Sequence, residues 1–235
     1  MMWLDPMYFV YLGPAILLGL WAQYKVKSAY AQADRYRAGS GLSGAQTAQQ
    51  ILNAYGISDV AIEPVKSFLG DHYDPKKKVL RLSPGVYNGH SLAAVGIAAH
   101  EVGHAIQDDV DYAPLALRNG LVPMASVGSN VSVMLVIGGF LLSVWLHAPI
   151  GHWIAVVGLG LFGTFVLFQV INLPVEFNAS SRARAILLQQ GLVTSEEERV
   201  VGKVLNAAAL TYVAATITAI ATMLYYASFV FGRRN

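Results

Sequence analysis

The chain has 235 residues, 55% hydrophobic and only 13% charged, with a mean hydropathy of +0.48. Soluble domains average about 25% charged residues, so this composition points to a membrane protein. The formal net charge of +2 is too small to call for a nucleic-acid partner, and the absence of cysteine excludes disulfide frameworks, iron–sulfur clusters and thiol catalysis.

The first apolar run, "MYFVYLGPAILLGLWAQY" (7–24), approaches the ~20 residues that cross a hydrocarbon core. It lacks a positive n-region, and Lys25 and Lys27 follow it instead of preceding it. It therefore reads as an uncleaved anchor with its N-terminus outside. A polar segment, 25–122, comes next. Ser43 with Gln46 forms a capping-box pattern ahead of a short helix that should run to about Tyr55 and stop at Gly56. "DVAIEPV" alternates like a short strand, and "DHYDPKKKVLRLS" reads as a hairpin with its turn near Asp74–Pro75 and a strand over Val79–Ser83. A turn-rich stretch then leads into a helix over about 91–108.

Three more apolar runs follow, at 123–146, 149–173 and 208–231, all free of Asp, Glu, Lys and Arg. Such clean spans disfavour a transporter or channel, which usually keeps ionisable groups inside the membrane. Small residues at Gly151 and Ala155, and at Ala214, Thr218 and Thr222, suit close helix packing. Between the last two runs, a polar segment (174–207) resumes a helix after Pro174 and ends it at Gly191. Ser195 with Glu198 gives a second capping-box pattern. Lys25, Lys27, Arg35, Arg37, Arg118, Arg182, Arg184, Arg199 and Lys203 would then be cytoplasmic under the positive-inside rule, while Arg233 and Arg234 would fall outside against it.

"AAHEVGHAIQ" (98–107) carries the chemistry. On a helix, His100 and His104 lie one above the other and can share a metal ion. Glu101 stands beside the first histidine, within reach of a water rather than the metal. This is the H-E-x-x-H pattern: two zinc ligands and a general base. Zinc lowers the pKa of a bound water to about 7, and Glu101 would take that proton and pass it to a leaving amine. Gly103 and the alanines at 98, 99 and 105 suit close packing against a sheet, a substrate backbone or another helix.

A catalytic zinc needs a third protein ligand. His147 and His152 lie in the loop expected on the far side of the membrane, and His72 and His90 read as surface or capping residues. Asp108, Asp109 and Asp111 trail the helix, and Glu196, Glu197 and Glu198 read as a solvated helix start. Glu176 stands alone in an uncharged stretch just past the third apolar run. It is either the third ligand or the partner of Arg182 or Arg184.

Three blocks, "DHYDPKKKVLRLSPGVYNGHSLAAVGIAAHEVGHAIQ", "YAPLALRN" and "PVEFNASSRA", resemble the YugP-like neutral zinc metallopeptidases, a family of bacterial membrane proteins. More distantly, the arrangement is similar to the HtpX-type and CAAX prenyl proteases. The resemblance implies His100, His104 and Glu176 as ligands of one Zn2+ and Glu101 as base, in a gluzincin-like site. That family usually carries Asp two residues after the third ligand, where this chain has Asn178.

These readings predict a mainly α membrane protein. It would have about four transmembrane helices and a small α+β, zincin-like cytoplasmic segment that includes a short hairpin or sheet. The expected function is a membrane-bound zinc endopeptidase of the bacterial cell membrane with its site facing the cytoplasm. The alternative is a non-catalytic scaffold with a structural metal. The expected partners are the lipid bilayer, a polypeptide substrate at the membrane surface and a second copy of the chain, with no nucleic acid. The strand Val79–Ser83 is the expected edge for pairing with substrate, and Tyr87, Tyr212 and Arg182 are candidates for stabilising an oxyanion.

Overall fold

The computed structural model describes residues 6–67 and 70–232, so the expectation for Arg233 and Arg234 lies outside the described residues. The chain is mainly helical. In order it forms α1 (Pro6–Ala33), α2 (Gly44–Ala54), β1 (Ala61–Pro64), β2 (His72–Asp74), β3 (Val79–Leu82), α3 (Pro84–Tyr87), α4 (Leu92–Asp109), α5 (Ala113–Trp145), α6 (Pro149–Gln189) and α7 (Ser195–Phe231).

The chain divides into two compact units. One holds residues 1–21, 117–173 and 212–235, and the other holds 22–116 and 174–211. The described residues of the first unit are helical apart from the short link 146–148 and Gly232 at the end of α7. Close approaches there depend on glycine: a Cβ on Gly139 would lie 2.5 Å from the Ala155 nitrogen, and one on Gly128 would lie 2.8 Å from the Leu161 oxygen. Among the described residues, three helices, α5, α6 and α7, are long and apolar enough to cross a membrane. The fourth expected span, 7–24, is not among them. α1 has the length, but Tyr8, Tyr11, Pro14, Trp21, Gln23 and Tyr24 dilute its apolar run.

The second unit contains the sheet and a continuous apolar core built from α2, α4, the strands and parts of α6 and α7. Ser43 caps α2 with the full reciprocal box to Gln46, and the chain leaves at Gly56, whose φ is +72°. That is the left-handed exit a glycine makes without strain. Asp74 closes the hairpin, its Oδ1 accepting from the Lys76 and Lys77 backbone amides at 3.1 and 3.2 Å.

Two expectations are corrected here. The strand order is β1-β3-β2, with β1 parallel and β2 antiparallel to β3. β3 is therefore central, and both its edges are already paired. It cannot receive a substrate strand, because its ladder groups are used. The capping box at the start of α7 lies one residue earlier than expected. Thr194 Oγ1 accepts from the Glu197 amide, and Glu197 Oε2 accepts from the Thr194 amide. Glu198 is thereby released to pair with Arg184 of α6.

Candidate metal centre

Helix α4 is built to be buried. Ser91 caps it by accepting from the Ala94 amide, and Val95, Ala98, Ala99, Val102, Ala105 and Ile106 are all buried. Two of its glycines set how closely other helices approach. A Cβ on Gly96 would lie 2.7 Å from Val201 Cγ1 of α7, and one on Gly103 would lie 2.8 Å from the Ala179 oxygen of α6. These two glycines thus serve helix–helix contact. The contact at Gly103 brings the α6 backbone alongside the two histidines.

At this crossing, Glu176 Oε2 lies 3.3 Å from His100 Nε2 and 3.7 Å from His104 Nε2. The two imidazoles meet edge to face, with centroids 4.8 Å apart and an interplanar angle of 84°. Glu176 is only 5% exposed. Its Oε2 is buried and makes no well-formed hydrogen bond, although it faces both rings. Both separations exceed the about 2.7–2.9 Å of a charge-assisted hydrogen bond. Ligands at about 2.0–2.1 Å from a zinc stand about 3.3–3.5 Å apart; the 3.3 Å separation falls in that range and the 3.7 Å one lies just beyond it. An orphaned carboxylate oxygen and two ring nitrogens converging on one point fit a divalent cation held by His100, His104 and Glu176.

The electrostatics agree. Burial alone would lower the pKa of His104, but the Glu176 and Glu101 carboxylates outweigh it and raise the value above 6.5. Burial alone would raise that of Glu176, which lies past the apolar run 149–173. The two imidazoles outweigh it and hold the carboxyl below the ordinary range. The pocket thus stabilises positive charge at the imidazoles through two flanking acids.

Glu101 is 8% exposed, and among the described residues nothing donates a hydrogen bond to it. The partners considered for Glu176 lie elsewhere: Arg184 holds Glu198, and Arg182 Nε donates to Asn178 Oδ1 at 2.7 Å.

Two residues were missed by the sequence reading. Ser180 Oγ lies 3.2 Å from His100 Nδ1. Gln107 Oε1 lies 3.0 Å from His104 Nδ1, while its Nε2 donates to the Val175 oxygen at 2.8 Å and to Asn178 Oδ1 at 3.0 Å. The available signal was spacing: Gln107 follows His104 by three residues and Ser180 follows Glu176 by four, so each shares a helix face with its neighbour.

Two imidazoles from one helix and a carboxylate from a second, with a further buried acid beside them, give this helical protein a candidate two-histidine, one-glutamate cation site. The chain belongs to the family described as "putative neutral zinc metallopeptidase", which matches residues 8–231. It is 45% identical over 223 residues to the "Putative membrane protease YugP" of Bacillus subtilis (strain 168), covering 94% of this chain and 95% of that one. No solved structure matches it.

Proposed function

We propose that this chain is a membrane-bound zinc endopeptidase in which His100, His104 and Glu176 hold the ion and Glu101 is the general base. The observation that carries this reading is the convergence of three ligand atoms, two of them on buried residues, next to a buried acid that accepts no hydrogen bond among the described residues. A purely structural site needs ligands but no base. When bound, zinc supplies the Lewis acidity that makes water nucleophilic at neutral pH. Glu101 accepts a proton from the attacking water as the new carbon–oxygen bond forms. It then returns the proton to the amide nitrogen as the carbon–nitrogen bond breaks. Burial of Glu101, at 8% exposure, limits the water that reaches its carboxylate.

The substrate in this reading is a polypeptide at the membrane surface, such as a loop or tail of a membrane protein. Glu176 supports this, because it follows the apolar run 149–173 by only a few residues on the same helix. The cations flanking the spans support a cytoplasmic site.

The test is metal analysis and cleavage of an unstructured protein by the detergent-solubilised chain. Wild type should carry zinc and cleave. Glu101→Gln should keep the zinc and lose cleavage, and Glu176→Ala should lose both. Full zinc occupancy in Glu176→Ala would remove the third ligand, and unchanged cleavage by Glu101→Gln would remove the base.

A further inference from the structure

Gln107 is fully buried, at 0% exposure, so its amide has no water to fall back on. Its nitrogen faces two oxygens. The Val175 carbonyl can only accept. The Asn178 oxygen is fixed in place because Arg182, which can only donate, bonds to it from the other side. Both protons of the Gln107 amide are thereby committed, and its oxygen must face His104 Nδ1. That oxygen can only accept, so in the neutral ring Nδ1 carries the proton and the Nε2 lone pair is left on the side of Glu176. Ser180 imposes no such order on His100, because a hydroxyl can donate or accept.

We propose that Gln107 is the positioning residue of this centre. The chain Arg182–Asn178–Gln107 fixes the metal-ready tautomer of His104. The same amide also grips the Val175 carbonyl, part of the peptide bond that leads into Glu176. One side chain therefore sets both the ring orientation of one ligand and the backbone position of another. The inference rests on the metal reading above. It also accounts for Asn178: this position needs an acceptor for two donors, and a neutral carbonyl oxygen is enough.

The test is Zn2+ affinity of the full chain in detergent, measured by competition with a chromophoric chelator. Folding is followed by circular dichroism, and Co2+ absorption bands report ligand geometry. Gln107→Glu keeps the length and the acceptor for His104 but turns a carboxylate toward two acceptors. It should weaken Zn2+ binding about 10–100-fold and shift the Co2+ bands. Adding Arg182→Leu frees Asn178 to turn its amide, so the double variant should bind about tenfold tighter than Gln107→Glu alone. A simple packing role for Gln107 would give no such recovery.

Unchanged affinity in folded Gln107→Glu, or no recovery in the double variant, overturns the proposal. If Gln107→Glu does not fold, Asn178 carries the test. Asn178→Asp, which keeps an acceptor for both donors, should bind about tenfold tighter than Asn178→Leu, and equal affinities overturn the relay. A wild-type chain that takes up no Zn2+ overturns the metal site itself, a different and separable failure.

Discussion

Glu176 had two possible fates in the sequence, metal ligand or arginine partner, and its surroundings exclude the second. Both nearby arginines are engaged elsewhere, and the carboxylate faces two imidazoles across distances suited to a shared cation. The histidine pair was legible because a four-residue spacing has one meaning on a helix. Gln107 was not, since an amide near the end of an apolar helix reads as an ordinary polar terminus until Val175 and Asn178 are placed beside it. In the metal-free chain, His104 lies above its ordinary 6.5 and Glu176 below its ordinary 4.5. The His104 contribution to stability is complete below 6.5 and fades as pH rises through the raised value. The Glu176 contribution is present above 4.5 and is lost on stronger acidification. Metal-free protein should therefore be most stable on the acid side of neutrality, whereas zinc-loaded protein should gain stability as pH rises and protons stop competing for the imidazoles. Thermal melts at several pH values, with and without zinc, check this; parallel pH profiles for the two forms would contradict it.

The caps and turns of the small helical elements were legible because they depend on residues three or four apart. Ser43 with Gln46 and the Asp74 turn stand where the pattern put them. The order of the strands was not legible. β1 joins β3 in parallel across the intervening β2, and nothing in a four-residue alternation announces a non-sequential neighbour. The α4–α6 crossing is the element-level feature on which the site depends. Gly103→Ala would place a methyl carbon 2.8 Å from the Ala179 oxygen and 3.2 Å from its Cα, against backbone that cannot yield without moving α6. Zinc affinity should fall at least tenfold, in line with losses from disturbed outer partners. Gly160→Ala meets nothing within 4 Å and should leave affinity unchanged. Equal effects of the two substitutions would show that the crossing does not govern the metal. Ser43→Ala should cost about 1 kcal/mol of stability through the lost cap without altering zinc affinity.

Across the whole molecule, hydropathy located the long helices but not how many of them cross a bilayer, because α1 mixes aromatic and polar residues into its apolar run. The division into two units cuts α6 between Leu173 and Pro174, so Glu176 belongs with the sheet although its helix begins in the other unit. A cation bridging α4 and α6 binds the folded chain and not the unfolded one. At a free zinc concentration of 100 Kd it should add about 2.7 kcal/mol of stability. Chelation should accordingly lower the melting temperature of wild type and leave that of Glu176→Ala where it was; a wild-type melt indifferent to chelator would argue against the bridge. The ligands are also far apart along the chain, with both histidines on α4 and the carboxylate beyond all of α5 and the first part of α6. A nascent polypeptide emerging from the ribosome therefore carries the imidazoles and Glu101 long before it has a third ligand. Val201, which packs on α4 at Gly96, is made later still. The three side chains can therefore close on one cation only once α6 has been made, and the histidine pair waits through the synthesis of α5 with an incomplete set of donors.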